Sequence, residues 1–396
     1  EDRSSHRVVN VADIGGHAVF NRPIAAFFST SLAEQSHQIN PIEMLSGQRK
    51  TTIMGPLGGV KSAHAITLDA RLVDPSHLGF VDPIPTPEGE RAGITTFLPI
   101  GTSKQGLTPV TKMWSTKTGK LTAVTPGMAV NAVVAFPDQY SWENGKPTPV
   151  GPYVKVSGKG NEFEEAKPEE VDYILPSAQG LFTLSTNMIP FLQNDQGNRT
   201  NYGSKQISQA IVLKDREVPL VQVHTGVARP DATWERVVGR AFSVHSPVAG
   251  KITAIGSDFI KVRGDDKQIR EMQLYQNYPL NDGKSGISSA PEVTVGQTVT
   301  KGQLLADTSF TKGGVLAYGV NARVAYMPYR SSTFEDGIVI SESFSKRLSS
   351  EHLYQERLYV GRDTFLSKAK YRSYFPERVK DSQSRKLDDD GVLRPG

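Results

Sequence analysis

The chain has 396 residues, enough for roughly two to four domains with sizeable buried cores. Its 45 Lys and Arg residues against 41 Asp and Glu residues give a net charge of +4, which neither requires nor excludes a polyanionic partner. The sequence contains no cysteine, which excludes a disulfide framework, a thiolate zinc site and a cysteine nucleophile.

No apolar run approaches the about 20 residues of a membrane span, so we expect no membrane segment. The polar start, Glu1–Arg7, has neither a signal peptide nor an initiator Met, and it indicates a processed chain or an excised piece. The 36 Gly and 25 Pro residues are typical of short strands joined by tight turns. We therefore expect a mixed α+β, strand-rich, multi-domain chain.

Residues 1–100 are predicted to form the first domain. A helix is expected at Ser31–His37, because Ser and Thr residues that can cap a helix stand at its start. The Asn40–Pro41 pair breaks the chain before a short helix at Ile42–Leu45. Residues 64–79 are expected to be extended, with a turn at Asp74–Pro75.

A rigid loop, Pro83–Gly93, lies near the end of this domain. Its three prolines restrict φ, and its two glycines permit tight turns. Glu88 and Arg91 in this loop could orient neighbouring loops or contact nucleic acid. The alternative is a plain connector.

Residues 101–170 are predicted to be an inserted surface β module. The apolar run Met128–Phe136 and the alternating Tyr153–Val156 both indicate strands. Residues 171–240 are predicted to form a third domain with a helix at Ser204–Leu213.

Residues 241–317 are predicted to be a small β-barrel-like module of short strands. Val293–Ala306 has the strand-turn-strand pattern of lipoyl-like barrels, but its turn has no Asp-Lys pair for a biotin or lipoate group, which argues against a carrier function. In the last region, residues 318–396, Val320–Pro328 and Gly337–Ile340 have the composition of buried strands.

Arg199 ends a polar stretch, Asn194–Arg199, in front of the expected helix. A helix start presents free N–H groups and the positive end of a dipole to anions, and a guanidinium matches phosphate oxygens. Arg199 is therefore a candidate to bind a triphosphate and to stabilise charge during transfer. By residue type alone, a capped helix with a surface ion pair remains the simpler interpretation.

Glu335 and Asp336 stand directly before an apolar run. Adjacent carboxylates can bind Mg²⁺ directly or through its waters, or they can simply cap a turn. Two-metal phosphoryl transfer needs several converging carboxylates. The contiguous Asp388–Asp390 is better explained as a solvated turn, so we expect the main metal ligands to come from another chain.

Basic residues surround the glycine-rich loop Gly55–Gly59, among them Lys50 and Arg71. They suit phosphate-backbone contact, although a basic surface explains them equally well. The sequence has no Walker loop and no Gly-x-Gly-x-x-Gly helix start, which argues against an autonomous nucleotide-hydrolysing enzyme. The eight His residues show no metal-ligand spacing.

Three segments in this order, PIPTPEGERAGI at Pro83–Ile94, NMIPFLQNDQGNRTNYGSKQISQAIVL at Asn187–Leu213 and YGVNARVAYMPYRSSTFEDGIVISES at Tyr318–Ser343, resemble signatures of the β subunit of multisubunit, DNA-dependent RNA polymerases. The resemblance covers nearly the whole chain and is weakest at residues 101–165. It implies template-directed transfer of NTPs to an RNA 3′ end, and it implies that the region of Glu335 and Asp336 belongs to a double-psi β-barrel.

The resemblance also assigns roles to residues. Arg199 would contact the incoming nucleotide, and Glu335 and Asp336 would lie near the second metal ion, with Asp336 as a weak Mg²⁺ ligand. The residues expected to contact nucleic acid are Lys50, Arg71, Glu88, Arg91, Lys205 and Gln209.

Partner chains are implied as well. The cofactor Mg²⁺ would be bound mainly by a β′-like subunit, and the remaining β portion and a sigma-like factor would be further partners, beside DNA template, nascent RNA and NTPs.

Some positions depart from the family pattern. Glu34, His37 and Gly47 stand where bacterial β subunits carry rifampicin contacts, which predicts rifampicin resistance. Ser208 replaces a usual basic residue and Lys205 a small amide, which indicates that basic charge has moved along the helix. This divergence suggests a divided β subunit such as those of large bacteriophages, active in the cytoplasm of a bacterial or infected bacterial cell, or packaged in a virion.

Two other hypotheses stay open. The first is a non-catalytic, polymerase-like scaffold or virion protein that only binds nucleic acid, which should tolerate alanine at Arg199 or Asp336. The second is an unrelated β-rich interaction module, which should have no affinity for a β′-like chain.

Overall fold

The computed structural model describes residues 20–29, 35–55, 59–160, 162–281, 285–354, 359, 361, 365–378 and 381–394. The chain divides into two compact units, Glu1–Leu353 and Tyr354–Gly396. The first unit combines several sheets with short helices. The expected mixed α+β, strand-rich class is thereby confirmed.

The helices are short, and many loops turn through single 3-10 turns. The α-helices of the described residues are α1 (Asn21–Phe28), α2 (Pro41–Gly47), α3 (Pro126–Val130), α4 (Leu184–Asn187), α5 (Gly197–Gln209), α6 (Trp234–Ala241), α7 (Glu342–Arg347), α8 (Lys368–Tyr374) and α9 (Asp381–Ser384). The 3-10 turns are Ala63–Ala65, Asp69–Arg71, Pro75–His77, Gly89–Arg91, Pro137–Gln139, Pro168–Glu170, Ala178–Leu181 and Leu192–Asn194.

The strands are mostly two to six residues long. They are β1 (Lys50–Thr52), β2 (Thr95–Phe97), β3 (Thr102–Gln105), β4 (Thr108–Ser115), β5 (Lys120–Val124), β6 (Val134–Ala135), β7 (Tyr140–Glu143), β8 (Lys146–Pro149), β9 (Val154–Ser157), β10 (Phe163–Ala166), β11 (Tyr173–Ile174), β12 (Val244–His245), β13 (Gly250–Ile255), β14 (Phe259–Gly264), β15 (Ile269–Gln273), β16 (Tyr278–Pro279), β17 (Gly286–Ile287), β18 (Ser289–Pro291), β19 (Thr298–Val299), β20 (Leu304–Thr308), β21 (Thr311–Lys312) and β22 (Val315–Leu316).

The N-terminal helix predictions have mixed outcomes. Residues 35–37 of the helix expected at Ser31–His37 are not helical, and residues 31–34 lie outside the described residues; a helix instead forms earlier, as α1. The short helix after Asn40 is confirmed as α2, because the Asn40 side chain accepts the Glu43 N–H as an N-cap.

The expectation that residues 64–79 are extended is wrong, because they hold three 3-10 turns, but the turn predicted at Asp74–Pro75 is confirmed. Ser62 and Asp74 explain two of them. Each side chain accepts a backbone N–H two residues onward, at 3.3 and 2.9 Å, which favours a local turn over a strand.

Residues 102–174 contribute a seven-stranded sheet in the order β10-β9-β6-β11-β4-β3, with β5 also on β4. All pairs are antiparallel except β11 on β6. Alternation buries Val154 and Val156 on one face, which confirms the strand predicted there. The strand predicted at Met128–Phe136 is only partly right, since α3 occupies its start and β6 is confined to Val134–Ala135.

Residues 244–316 form a second group of strands. A four-stranded sheet, β15-β14-β13-β19, and a three-stranded sheet, β12-β20-β18, enclose one apolar core. Ile252, Ile260, Val262 and Leu305 in this core are at most 1% exposed. The short strands predicted in this region are confirmed.

A further apolar cluster holds α2, α4 and α6 together with the end of β22. It contains Ile42, Leu184, Met188, Val238 and Leu316. Strands β21 and β22 form a hairpin that packs against α6. A β-carbon at Gly239 of α6 would meet the Gly314 carbonyl oxygen of this hairpin at 2.5 Å, so only glycine allows so close an approach. The cluster fixes α2 and α4, which pack against α5.

Residues 319–341 contain no strand, so the buried strands predicted at Val320–Pro328 and Gly337–Ile340 are wrong. Apolar side chains there are exposed instead, with Tyr326 at 99% and Ile338 at 84%. A strand satisfies its backbone groups only by pairing with a neighbour, and the described part of this chain supplies none here.

The second unit, Tyr354–Gly396, is small. Ser367 caps α8 by accepting the Lys370 N–H, and Lys368 donates to the carbonyl of Leu387 at 3.2 Å. The Asp388 carboxylate accepts the Val392 N–H at 2.8 Å. The interpretation of Asp388–Asp390 as a turn is confirmed.

Candidate functional site

Helix α5 positions Arg199. The sequence predicted a helix over Ser204–Leu213, but α5 begins at Gly197 and ends at Gln209, so Arg199 is the third residue of the helix instead of part of the preceding loop. The helix extends this far because Thr200 and Ser204 are buried against neighbouring segments. Arg199 itself is exposed, at the positive end of a thirteen-residue helix.

The two predicted carboxylates lie in a tight turn of the FED segment, by which we mean Gly319–Ser343. The Gly337 N–H donates to the Phe334 carbonyl at 3.0 Å, which leaves Glu335 and Asp336 as the central residues of the turn. Glu335 has φ of +52°, a left-handed conformation. Both carboxylates are exposed to solvent.

An open cleft of about 2250 Å³ brings these groups together. Arg199 and Tyr202 of α5 line one part of it, and Glu335 and Asp336 of the FED segment line another. The Arg199 guanidinium and the two carboxylates thus share a single solvent-filled space, which Arg323 and Arg347 also line. Such a space can accept a polyanion bound to a divalent cation.

Buried hydrogen bonds hold α5 in place. The Ser185 and Ser204 hydroxyls lie 2.8 Å apart between α4 and α5. At the far end, the fully buried Asn40 amide donates to the carbonyls of Ser208 and Ala210, both at 2.8 Å. Tyr318 donates its hydroxyl to the Asn40 side-chain oxygen at 3.3 Å, so one asparagine links α2, the end of α5 and the entry to the FED segment.

The TPEG loop, Pro83–Gly93, packs on the same helix. Asn201 of α5 donates to the Ile84 carbonyl at 2.6 Å. Within the loop, the Thr86 hydroxyl accepts the Gly93 N–H at 2.9 Å, and a β-carbon at Gly93 would meet the Arg71 carbonyl oxygen at 2.4 Å. The prediction of a tightly turned loop is confirmed.

Asp82 anchors the start of this loop from inside the protein. It is 1% exposed, and its two carboxylate oxygens accept the Thr183 N–H at 2.6 Å and the Ile84 N–H at 2.9 Å. Burial raises the pKa of Asp82, and those hydrogen bonds act in the opposite direction.

A second groove, of about 390 Å³, lies beside α2 and α5. It collects the predicted residues Lys50, Lys205 and Gln209, together with His37 and Gly47. Lys205 forms an ion pair with Glu88 of the TPEG loop, with 2.7 Å between Nζ and Oε1. Glu34, predicted for the same place, lies outside the described residues.

The remaining predicted residues lie apart from both spaces. Arg71 donates to the carbonyls of Ala63, Ile66 and Glu90, at distances between 2.5 and 3.3 Å, so it ties the preceding turns to the TPEG loop. Arg91 is exposed on a 3-10 turn of that loop. Nucleic-acid contact by these two arginines stays a prediction.

Sequence reasoning missed the positioning roles of Asn40 and Asn201. Asn40 was recognised only as part of a helix break, and Asn201 only as part of a matched segment. Their partners lie more than 100 residues away in the sequence, so no local signal could have identified them.

The chemistry of the donor set limits what this chain can hold. Among the residues that the structure describes, no three His, Asp or Glu side chains are grouped to hold a metal ion. Glu335 and Asp336 are hard oxygen donors of the kind Mg²⁺ takes, but two carboxylates are fewer than its octahedral shell needs.

None of the helices in the described part is long and apolar enough to cross a bilayer.

Comparison with known proteins gives matches to two family models. Residues 249–396 match RNA polymerase Rpb2, domain 6, and residues 34–101 match RNA polymerase Rpb2, domain 3. These two matches contain the TPEG loop, the FED segment and the second unit.

Curated relatives extend the similarity to nearly the whole chain. The chain is 32% identical over 389 residues to a DNA-directed RNA polymerase subunit beta of Thermus thermophilus, which covers 96% of this chain and 33% of that protein. The subunit beta of Thermus aquaticus is 32% identical over 393 residues, with the same coverage, and that of Oenococcus oeni is 31% identical over 392 residues, covering 95% and 31%. The chain thus spans about a third of the length of these relatives.

Proposed function

We propose that this chain, which belongs to the β-subunit family of multisubunit RNA polymerases, acts as part of a DNA-directed RNA polymerase that transfers NTPs to the 3′ end of an RNA. The observation that carries the proposal is the cleft shared by Arg199, Glu335 and Asp336. Three groups suited to a nucleoside triphosphate meet there although 136 residues separate Arg199 from Glu335 in the sequence (335 − 199).

Arg199 would bind the triphosphate of the incoming NTP. Its guanidinium offers several donors in one plane, and the exposed start of α5 adds backbone N–H groups and the positive end of the helix dipole. A fixed positive charge at this point stabilises the negative charge that develops on the phosphates during nucleotidyl transfer.

Glu335 and Asp336 would assist the placement of a second Mg²⁺ and of the nucleotide, with Asp336 as a weak ligand of that ion. When bound, Mg²⁺ neutralises phosphate charge and orients the reacting oxygens. The principal carboxylates would come from a β′-like partner, since the residues that the structure describes present only two at the cleft.

The groove beside α2 would follow the RNA–DNA hybrid. Lys50, Lys205 and Gln209 line it, and they offer cations and an amide to phosphates and sugars without reading the base sequence. Glu88 would orient Lys205 through their ion pair, and Arg71 and Arg91 would hold or extend the same surface through the TPEG loop.

The FED segment exposes apolar side chains and forms no strand, which supports a further partner for this segment. We propose that this segment completes a double-psi β-barrel with strands of the remaining β portion, and that the strands of residues 241–317 form a lipoyl-like module. The division into regions 1–100, 101–170, 171–240, 241–317 and 318–396 is part of this proposal. A sigma-like factor, the DNA template and the nascent RNA would be further partners.

The assembly would work in the cytoplasm of a bacterial cell or of an infected one. The departures at His37, Gly47 and Ser208 support a divergent enzyme with a divided β subunit, as in large bacteriophages. A packaged virion enzyme is the alternative setting.

The test is RNA extension by the assembled complex. The chain is co-expressed with its native neighbours, and the isolated complex is supplied with Mg²⁺, NTPs and a preformed RNA–DNA scaffold. Wild type is compared with Arg199→Ala and with the matched control Arg236→Ala, an exposed arginine of α6 outside the cleft.

Extension that falls at least about 100-fold in Arg199→Ala and is unchanged in Arg236→Ala would support the proposal. Extension that is indifferent to Arg199→Ala would overturn the role of this residue. A complex that binds the scaffold without extending RNA would favour the non-catalytic scaffold, and failure to form any complex would favour an unrelated module.

A further inference from the structure

Glu217, in the connection that follows α5, contacts the start of the FED segment and the helix α7 that continues from its end. Its Oε2 atom accepts the backbone N–H of Asn321 at 2.9 Å and the side-chain amide of Asn321 at 3.0 Å. Its Oε1 atom accepts from the Arg347 guanidinium. Asn321 lies near the start of the segment, and Arg347 is the last residue of α7, which begins at Glu342 at the end of the segment.

The connection, residues 217–220, also binds Asn321 through Val218 and Leu220. The Asn321 amide donates to the Val218 carbonyl at 3.0 Å, and its side-chain oxygen accepts the Leu220 N–H at 3.1 Å. The Glu217 N–H donates to the Gly319 carbonyl at 2.7 Å. The entry to the FED segment is therefore attached to residues 217–220 at several points.

Between these two ends the segment has little support of its own. Residues 322–341 form no strand, and the backbone hydrogen bonds that the structure describes within them are local, such as Ser332 to Tyr329 and Gly337 to Phe334. The position of Glu335 and Asp336 in the cleft thus depends on how the two ends are held.

We propose that Glu217 is a positioning residue that fixes the FED segment, and with it Glu335 and Asp336, relative to Arg199. The inference rests on the proposed function of the cleft. Residues 210–217 continue from α5, so a clamp at Glu217 ties the position of the FED segment to the helix that carries Arg199. Transfer reactions are sensitive to displacements of the order of 1 Å between reacting groups.

The ionisation of Glu217 suits this role. Hydrogen bonds from Asn321, followed by the charge of Arg347, lower the pKa of Glu217, so it is a carboxylate at neutral pH. A carboxylate can accept at both oxygens at once, whereas the amide of Gln would turn a donor towards Asn321 or Arg347.

The first test measures geometry without activity. Because the chain has no cysteine, spin labels can be attached only at two introduced sites, Gln206→Cys on α5 and Ser332→Cys on the FED segment, both exposed. The labelled chain is then assembled into the complex, and the distance distribution is measured by pulsed electron–electron double resonance.

We expect one narrow distribution in the parent and a clearly broadened one after Glu217→Gln or Arg347→Gln. The matched control is Glu271→Gln, which removes an ion pair with Lys261 on β14 and β15, away from the cleft. A distribution that Glu217→Gln and Arg347→Gln leave unchanged would overturn the inference, as would equal broadening by Glu271→Gln. This result is independent of whether the complex extends RNA.

The second test asks whether the effect passes through the FED carboxylates. Glu217→Gln should lower kcat/KM for NTP by about tenfold, as expected for a displaced reacting group. In an Asp336→Ala background the same change should cost less than about twofold, because contacts in one network are not additive. A full tenfold loss in both backgrounds would mean a general structural role and would contradict the inference. Absence of extension in the parent complex would instead reject the proposed function.

Discussion

The Nζ atom of Lys205 lies 2.7 Å from the Oε1 atom of Glu88, and this ion pair joins helix α5 to the TPEG loop. The Lys205 side chain is 24% exposed and that of Glu88 is 61% exposed. A pair so open to solvent contributes little to stability, about 0–1 kcal/mol. Its effect is to hold the Lys205 ammonium at the edge of the groove proposed to follow the hybrid.

The first prediction concerns phosphate contact by Lys205. Replacing Lys205 by Ala should weaken binding of an RNA–DNA hybrid by the assembled complex and reduce the slope of log affinity against log salt by about 1, because one phosphate contact is lost. Lys261→Ala is the matched control, since Lys261 also pairs with a glutamate, at 3.1 Å, but lies outside the groove. Salt titration of hybrid binding measures both, and an unchanged slope in Lys205→Ala would remove this residue from the interface.

The second prediction concerns the FED carboxylates. Asp336→Asn should raise the Mg²⁺ concentration needed for half-maximal RNA extension several-fold and Glu335→Gln less so, because each change removes one anionic donor from a shared ion. The control is Asp265→Asn, an exposed aspartate in the turn after β14. Extension is measured across a Mg²⁺ titration; a fall in rate that excess Mg²⁺ cannot reduce would contradict a role in ion placement.

The third prediction concerns Asn40. Asn40→Ala should lower the free energy of unfolding by roughly 3 kcal/mol, because it removes the cap of α2 and the donors to three carbonyls near the end of α5. Ser29→Ala, which removes an exposed hydroxyl bond at the end of α1, should change it by less than about 0.5 kcal/mol. Denaturant unfolding of the full chain compares them, and equal costs would show that the Asn40 contacts do not stabilise the protein.

The fourth prediction uses two buried carboxyl groups with different partners. Both oxygens of Glu235 accept the single N–H of Val223, whereas the oxygens of Asp82 accept two different N–H groups. Glu235→Gln can therefore keep its bond, while Asp82→Asn must leave one buried N–H unsatisfied. We expect Asp82→Asn to cost about 1–3 kcal/mol and Glu235→Gln to cost little or to stabilise.

The pH dependence of Glu235→Gln has a definite sign. Burial raises the pKa of Glu235 above its ordinary value of 4.5, so the native state holds the proton more tightly than the unfolded state. In the wild type, the contribution of this group to the free energy of unfolding is fully present below about pH 4.5 and is lost as pH rises through the raised pKa. The stability of Glu235→Gln relative to wild type should therefore increase over that range and be constant below it. The free energy of unfolding of both proteins is measured at several pH values. A stability difference between Glu235→Gln and wild type that shrank as pH rose would refute the prediction.

The fifth prediction concerns rifampicin. His37 and Gly47 line the groove beside α2. The resemblance to bacterial β subunits implies that rifampicin contacts would lie at these positions. With these contacts altered, the assembled complex should extend RNA at rifampicin concentrations that stop a bacterial enzyme assayed in parallel. Inhibition of both at the same concentration would reject the residue correspondence.

Local patterns predicted much of the fold where short-range interactions suffice. Asn40 followed by Pro41 indicated a helix start, and the structure has α2 there with Asn40 as its cap. Alternation predicted the strand at Val154–Ser157, and the proline and glycine spacing predicted the turned TPEG loop. In each case the interactions that decide the conformation lie within a few residues.

The same reasoning failed where residues distant in the sequence decide the local conformation. Gly197 and Asn198 are weak helix formers, so the start of α5 was placed too late, yet contacts of Thr200 and Ser204 with other segments extend the helix. The apolar run Gly337–Ile340 indicated a buried strand, but a strand needs a paired neighbour, and the described part of this chain provides none.

The amino-acid sequence by itself determined the family, the order of the TPEG, Arg199 and FED segments, and the residue types that suit a nucleoside triphosphate. Only the tertiary structure decided which of these residues share a space: Arg199 with Glu335 and Asp336 in the cleft, Lys50 with Lys205 and Gln209 in the groove, and Arg71 bound to backbone carbonyls in neither. The physical reason is that composition and spacing act along the chain, whereas burial, hydrogen bonding and the clamp at Glu217 join residues that are far apart in it.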